Sequence, residues 1–338
     1  MRTVSVANAD TDVRRGPAGV VYLRSRHPLG PYPDRLTERL EHWAEQAPGR
    51  AFLAQRDDSG EWRSLTYAAT LDAVRRLGQA LLARRLSADR PLVILSGNGI
   101  EHALLGLAAL HTGIPYAPLS PAYSLQTRDH GTLGEIVGRL RPGLVFAAEG
   151  AAYEDALVAV VPTETELVVS SSTPDDRRST PFAELAQTPA TGAVDDAYAR
   201  VGPDTVAKVL FTSGSTGRPK GVVNTQRMLC SNQEMLRTVL GFLAEEPPVL
   251  CDWLPWNHTA GGNHNFGIAL YNGGTFYIDE GRPARPRRVE NRLRDGGGNR
   301  GDLRRSERGR GAEGMDPRLP QHLIYHIIPE PGDPLLIR

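Results

Sequence analysis

The sequence has few cysteines, no long apolar run and no excess charge of either sign. Cys230 and Cys251 are its only cysteines, which excludes a disulfide framework and is typical of a reducing compartment. No apolar run approaches the roughly 18 residues that a membrane-spanning helix needs, and the first residues lack the apolar centre of a secretory signal. The 39 basic and 39 acidic side chains balance, so no general attraction to nucleic acid or membranes follows. We therefore expect a cytoplasmic protein without nucleic-acid or membrane partners.

Lysine is scarce as well. Among the 39 basic residues only Lys208 and Lys220 are lysines, and all the others are arginines. Such a bias is typical of a GC-rich coding sequence. A lysine retained against this background indicates a chemical role, and Lys220 lies in the most distinctive motif of the chain.

That motif is a loop of glycines and hydroxyl residues after an apolar run, 206–211, that is predicted to be a buried strand. The loop reads Thr212, Ser213, Gly214, Ser215, Thr216, Gly217, Arg218, Pro219, Lys220, Gly221. Glycines allow several backbone N–H groups to point at one anion, and the hydroxyl groups and Lys220 add donors and positive charge. The sequence therefore predicts a phosphate-binding loop. A flexible Gly/Ser-rich linker is the weaker interpretation, because a linker needs neither flanking apolar strands nor a Pro-Lys-Gly ending. The loop is not a Walker A motif, because Pro219 precedes the lysine and Gly221 follows it.

Along the chain, short apolar segments alternate with amphipathic ones. Strands are predicted at 51–54, 62–67 (pairing back as a hairpin), 91–95, 114–119, 144–147, 167–169, 206–211, 248–254 and 275–278. Helices are predicted from 36 onward and at 70–86, 100–111 (capped by Asn98), 133–140, 153–161, 182–185, 225–242 and 266–271. Residues 1–34 are expected to be an extended arm and 171–204 mostly loop. This alternation predicts an α/β fold with a parallel sheet covered on both faces.

The loop resembles, almost residue for residue, the signature loop of AMP-forming adenylating enzymes, which include acyl-CoA synthetases, luciferases and the adenylation domains of peptide synthetases. Other segments look like further core motifs of that family: Leu65-Thr66-Tyr67, the Gly-Ile-Pro-Tyr-Ala-Pro run at 113–118, and 253–263. Within the family the sequence is most similar to feruloyl-CoA synthases, on the basis of residues 29–33, 101–104, 120–124 and 256–259. The resemblance covers roughly residues 20 to 281.

The resemblance implies the layered αβαβα large N-terminal domain of adenylate-forming enzymes, here incomplete and without the C-terminal small domain. It also implies that ATP activates a hydroxycinnamate-type acid such as ferulate as acyl-AMP, with Mg²⁺, before transfer to coenzyme A. The residues it assigns to the triphosphate are Thr212, Ser213, Gly214, Ser215, Thr216, Gly217 and Lys220. Lys220 and His258 would be the catalytic pair, with His258 lining the acyl or thiol-entry pocket. The alternative for His258 is a polar residue satisfied at a strand end. No histidine spacing indicates a metal site.

The similarity stops abruptly after residue 281. We therefore expect the chain to divide into three segments: an arm at 1–34, a partial adenylation domain at 35–281, and a tail at 282–338. Residues 282–318 contain 12 Arg and 7 Gly and no aromatic residue. Such composition is expected of an out-of-frame, disordered tail, and an Arg/Gly nucleic-acid-binding segment is the weaker interpretation. The family's later motifs, including its Tyr-Gly-x-Thr-Glu segment and late lysine, are missing.

We therefore expect the separate chain to be inactive or nearly so, with an incomplete sheet that exposes an edge. Two alternatives to a coenzyme A ligase remain open. One is an adenylating enzyme that feeds a carrier-protein thiol, and the other is a non-catalytic product that only binds nucleotide phosphates.

Overall fold

The computed structural model describes residue 6, residues 10–212 and 218–279, and the backbone of residues 323–325. In chain order its strands are β1 Thr11–Arg15, β2 Val21–Ser25, β3 Ala51–Arg56, β4 Trp62–Thr66, β5 Leu92–Leu95, β6 Tyr116–Leu119, β7 Leu144–Glu149, β8 Glu166–Ser171, β9 Thr180–Pro181, β10 Val206–Thr212, β11 Lys220–Thr225, β12 Val249–Asp252, β13 Thr275–Ile278 and β14 Leu323–Tyr325.

The α-helices are α1 Glu38–Gln46, α2 Tyr67–Ala83, α3 Ile100–Thr112, α4 Ala122–Leu125, α5 Gly131–Leu140, α6 Glu154–Val160, α7 Phe182–Ala186, α8 Gly192–Arg200, α9 Gln226–Val239, α10 Phe242–Glu245 and α11 Phe266–Tyr271. A π-helical segment, Ala260–Asn265, leads into α11.

The larger described sheet has the strand order β11-β10-β6-β5-β7-β8-β9. From β10 to β9 neighbouring strands run parallel, and β11 runs antiparallel to β10 at the edge. The strands β5 and β6 are fully buried, as expected for strands covered on both faces. The prediction of an α/β fold with a parallel sheet is confirmed.

Two apolar clusters show how the layers stack. One cluster joins α2 and α3 to one face of the larger sheet and also to β3 and β13. The other joins α5 and α6 to the opposite face of the larger sheet. The described residues therefore supply four layers of the predicted αβαβα arrangement, in the order helix, sheet, helix, sheet.

The smaller described sheet has the order β14-β12-β13-β3-β4. The antiparallel pairing of β3 with β4 confirms the predicted hairpin. The Leu65-Thr66-Tyr67 motif connects this hairpin to α2, because the Thr66 hydroxyl accepts a hydrogen bond from Ala69 N at 3.2 Å and so caps the helix. The Tyr67 hydroxyl donates to Ala269 O and Gly274 O at 3.1 and 2.8 Å. This motif is therefore structural.

Three predictions need correction. Residues 11–25 do not form a single extended arm: β1 and β2 pair as an antiparallel hairpin whose residues are all exposed. The segment 171–204 contains a nine-residue helix, α8, in addition to α7. Asn98 does not cap α3, because the N-cap residue is Gly99 and the Asn98 side chain bonds elsewhere.

Candidate functional site

The phosphate-loop prediction falls only partly on described residues. Ser213, Gly214, Ser215, Thr216 and Gly217 lie outside them. Thr212 and Lys220 are described, and they are directly paired neighbours on β10 and β11. The two strands therefore bring both ends of the predicted loop together.

The start of the loop lies where ligands usually bind in such sheets. Thr212 ends β10, which runs parallel to β6, and β6 runs parallel to β5. The carboxyl ends of these three strands therefore share one edge, the position at which open α/β sheets bind ligands. Thr212 and Lys220 are both exposed there.

Gly221 has a packing reason for being glycine. A Cβ at this position would lie 3.0 Å from Val209 Cγ1 and 3.3 Å from the ring of Phe211, closer than ordinary side-chain contacts. Glycine therefore allows β11 to pair closely with β10 immediately after Lys220. Part of the Pro-Lys-Gly ending therefore serves strand pairing.

The motif segment 253–263 follows β12 and is held by two side chains. Buried Asp252 accepts hydrogen bonds at Oδ1 from Trp253 N and Leu254 N, at 2.9 and 3.1 Å. Asn98 donates from Nδ2 to Leu254 O at 2.9 Å and accepts at Oδ1 from Trp256 N at 3.0 Å. Asn98 therefore ties the end of β5 to this segment.

Within this segment His258 and Trp256 differ in burial. His258 is exposed, and its backbone bonds to Pro255 O and Gly262 N at 3.1 and 2.9 Å. Trp256 is buried and packs edge-on against His102 and Phe266, with ring centroids 5.1 Å apart in each case. Trp256 is therefore part of the packed core. The role of His258 stays a prediction.

A cavity that sequence reasoning missed lies between α3, β10, α9 and the motif segment. We call it the Lys208 cavity, and its polar and aromatic lining consists of His102, Tyr116, Lys208, Gln233, Trp256, Asn263 and Phe266. Lys208 is 3% exposed, although lysines are almost never buried without a charged partner. Its Nζ donates to Gly262 O at 3.0 Å and lies 5.1 Å from the centroid of the Tyr116 ring.

The electrostatics of the cavity follow from burial. Burial lowers the pKa of Lys208 to about 7, because removing an ammonium group from water penalises its charged form. Burial also lowers the pKa of His102 to about 4, so this imidazole is neutral at pH 7. Its Nδ1 lies 3.0 Å from Gly97 O, and the neutral ring therefore donates at Nδ1 and leaves Nε2 as an acceptor.

One sequence signal could have found this site. Lys208 is one of the two lysines of the chain, and its retention among so many arginines indicates a chemical role, as it does for Lys220. For Gln233 and Asn263 the sequence carries no comparable signal, because neither belongs to a recognisable pattern.

Two further observations on the described residues concern metal binding and membrane insertion. No group of three His, Cys, Asp or Glu side chains within 10–212 and 218–279 lies close enough together to hold a metal ion. In the same residues no helix combines the length and apolar character needed to cross a bilayer.

The fold and the loop define the class of protein as adenylate-forming. A family model described as AMP-binding enzyme matches residues 40–294. The chain belongs to this AMP-binding enzyme family.

Similar sequences come from larger proteins. The PKS-NRPS hybrid synthetase psoA of Aspergillus fumigatus is 24% identical over 286 residues, which is 83% of this chain and 6% of that protein. The medium-chain-fatty-acid–[acyl-carrier-protein] ligase TtuA of Teredinibacter turnerae is 44% identical over 71 residues, 21% of this chain and 11% of that protein. The chain thus spans only a small part of these relatives.

Solved structures share the fold. ATP-bound MatB from Rhodopseudomonas palustris matches with a TM-score of 0.56 at 20% identity, over 77% of this chain and 47% of that one. A fatty acyl-adenylate ligase from L. pneumophila, in complex with acyl adenylate and pyrophosphate, matches with a TM-score of 0.58 at 16% identity, over 77% and 42% of the two chains. At these identities the likeness shows the fold of the N-terminal part of such enzymes.

Proposed function

We propose that this chain is the acid-activating part of an AMP-forming ligase. In the first step a carboxylate oxygen forms a bond to the α-phosphorus of ATP, and the bond between the α-phosphorus and the bridging oxygen breaks to release pyrophosphate. The observation that carries the proposal is the pairing of Thr212 with Lys220, which brings the two ends of the signature loop together at the carboxyl edge of the parallel strands.

The loop residues have separate roles in this step. Negative charge builds up on the leaving pyrophosphate, and donors that are already oriented stabilise it. Thr212 and the loop residues 213–217 would supply hydroxyl and backbone donors, and Lys220 would supply positive charge. Mg²⁺, which accompanies ATP, would neutralise further phosphate charge.

The acid that we propose is a hydroxycinnamate such as ferulate, and the acceptor is coenzyme A. In the second step the thiol sulfur attacks the acyl carbon, AMP leaves, and the thiol gives up its proton. The support is the resemblance at residues 29–33, 101–104, 120–124 and 256–259, together with the aromatic lining of the Lys208 cavity. His258 would lie on the path of the acid or thiol, in keeping with its exposure on the motif segment.

A carrier-protein thiol is the second candidate acceptor. TtuA is by name a ligase for an acyl-carrier protein, and psoA is a multi-enzyme synthetase. Comparison of coenzyme A with a phosphopantetheinyl carrier protein, each added to the preformed acyl-AMP, decides between the two acceptors.

The test of acid activation is exchange of labelled pyrophosphate into ATP with ferulate, run beside equilibrium binding of ATP. We expect ATP binding that Lys220→Ala weakens about ten-fold or more, because a charge-assisted contact to phosphate is lost. Exchange that depends on ferulate supports acid activation. Binding without exchange supports a chain that only holds nucleotide phosphates, and absence of both contradicts the proposal.

The matched control is Lys220→Arg, which keeps the charge but changes its geometry. It should retain more ATP affinity than Lys220→Ala. Equal loss in the two variants would show that Lys220 acts through strand pairing and not through its charge.

A further inference from the structure

The Lys208 cavity collects side-chain atoms whose hydrogen bonding is incomplete. An ammonium group has three donors, but Lys208 Nζ has one acceptor among the described residues, Gly262 O. Gln233 Oε1, Trp256 Nε1 and Asn263 Oδ1 are buried without a hydrogen-bond partner in that part of the chain. Unpaired buried polar atoms are costly and rare. Three of them on residues that line one cavity, beside an incompletely paired Lys208 Nζ, indicate that a polar group binds between them.

The pattern of donors and acceptors matches a hydroxyl group. Trp256 Nε1 and the protonated Lys208 Nζ can only donate, whereas Gln233 Oε1 and Asn263 Oδ1 can only accept. A hydroxyl group has one donor and two acceptor lone pairs, so it can serve both kinds of atom at once. A carboxylate would satisfy the donors and leave both amide oxygens unpaired.

The remaining lining matches an aromatic ring next to that hydroxyl. Tyr116 and Trp256 present aromatic surface, and Gly106 lets the Tyr116 ring pack against α3, because a Cβ there would lie 3.1 Å from that ring. Ligand sites are typically apolar with a few convergent polar groups. This cavity has that composition.

The position of the cavity along β10 also fits an acid whose carboxylate reacts near Thr212. Lys208 and Thr212 are both on β10, four residues apart, and therefore on the same face of the strand. At the usual rise of a strand they are roughly 13 Å apart. A rigid aromatic acid can place its carboxylate near the start of the loop and its far end near Lys208.

We infer that the Lys208 cavity binds the phenolic hydroxyl of an aryl carboxylic acid, with Lys208 as the specificity-determining residue that donates to the hydroxyl oxygen. The inference rests on the proposed acid activation, which it deepens by naming the group that selects the acid. About 20 Å³ of the cavity is wide enough for the centre of a water molecule, enough for a hydroxyl. The ring must widen the cavity as it enters.

The test compares two acids that differ only in that hydroxyl, 4-hydroxycinnamate and cinnamate, by calorimetric titration of the full chain without ATP. We expect 4-hydroxycinnamate to bind about ten-fold more tightly, because a charge-assisted hydrogen bond is gained. Lys208→Met should abolish this preference and change cinnamate affinity by no more than about three-fold, because methionine keeps most of the volume of the side chain. Arg128→Met, an exposed cation on a surface loop, is the matched control and should keep the preference.

A second variant covers the case in which Lys208→Met does not fold. Gln233→Met removes one unpaired acceptor and should reduce the preference for the hydroxylated acid about three-fold. Equal binding of the two acids by the wild-type chain, binding of neither, or a preference that survives Lys208→Met would overturn the inference.

Pyrophosphate exchange separates this inference from the proposed function. Exchange with both acids at equal efficiency, unaffected by Lys208→Met, supports acid activation and overturns the role of Lys208. A Lys208-dependent hydroxyl preference in binding, without exchange, supports the cavity assignment and contradicts the proposed reaction.

Discussion

At the scale of single residues, three buried bases distinguish this protein. Lys208, His102 and His111 are at most 4% exposed, and burial lowers the pKa of each, to about 7 for the lysine and about 4 for each histidine. The common cause is desolvation, which penalises the protonated form of a base. Both histidines are therefore neutral in the folded chain at pH 7.

His111 should make the fold sensitive to acid. Its folded pKa of about 4 lies below the ordinary value near 6.5, so the unfolded chain binds more protons between these values. Stability is therefore fully present above about pH 6.5 and falls as the pH drops towards 4. His111→Phe keeps the ring that stacks on Tyr198 at 4.3 Å. The variant should gain about 2 kcal/mol over wild type at pH 5 relative to pH 7.5, measured by urea unfolding at the two pH values.

Neighbouring charges also affect the pKa of His111. Besides burial, Arg75 and Arg35 lower the pKa of His111, whereas Asp195 raises it. His27 is an exposed histidine, and His27→Phe is the surface control for the same change of side chain. An equal effect of the two substitutions would refute the assignment to burial.

At the scale of elements, hydrogen bonds between distant segments decide the geometry of the site. The sequence predicts that Asn98 caps the helix after it, since asparagine is a favoured cap residue. Its side chain instead bonds Leu254 O and Trp256 N, more than 150 residues away. A local rule could not find these partners, because they exist only after β12 is placed near β5.

Asn98→Ala should loosen the motif segment 253–263. Loss of two hydrogen bonds to backbone groups should lower the free energy of unfolding by about 1–3 kcal/mol and speed proteolytic cleavage within 254–262. Urea unfolding and timed proteolysis with mass mapping measure the two effects.

Asn98→Asp is the matched variant, because it keeps the acceptor for Trp256 N and loses the donor to Leu254 O. It should show an intermediate loss. Unchanged unfolding and cleavage in Asn98→Ala would mean that Asp252 alone holds the segment.

Local patterns predict most of the helices and strands and miss those with a weak pattern. The helix α3 is predicted almost to its last residue, because its apolar run is bounded by glycines: Gly99 is the N-cap and Gly113 adopts a left-handed conformation at the C-cap. The helix α8 is missed, because it buries only Val194 and Ala197. Two buried residues do not produce a recognisable period.

At the scale of the whole molecule, the seven-stranded and five-stranded sheets share a layer of helices, and α2 and α3 contribute to both interfaces. The segments before and after residues 35–281 differ in how they contact this core. Every residue of β1 and β2 is exposed. Of the predicted tail, three residues are described as β14, paired with β12.

Removal of residues 282–338 should change stability little. The composition of 282–318, with 12 Arg and 7 Gly, offers little apolar surface for burial, and a three-residue strand pairing at a sheet edge contributes little. We expect a chain ending at Gly281 to unfold within about 1 kcal/mol of the full chain, as measured by urea titration. A loss of several kcal/mol would show that the tail is part of the folded core and would contradict the predicted disorder.

The sequence by itself determines the α/β class, the family and the composition of the phosphate loop, because apolar periodicity and a nearly complete ten-residue motif are local properties. Only the tertiary structure decides that Thr212 lies opposite Lys220, that Asn98 holds the motif segment, and that Lys208 lies in a cavity with Gln233, Trp256 and Asn263. These side chains are brought together by the pairing of strands and the packing of helices distant in the chain. Burial, unpaired hydrogen-bonding atoms and shifted pKa values arise from that packing, so no local pattern contains them.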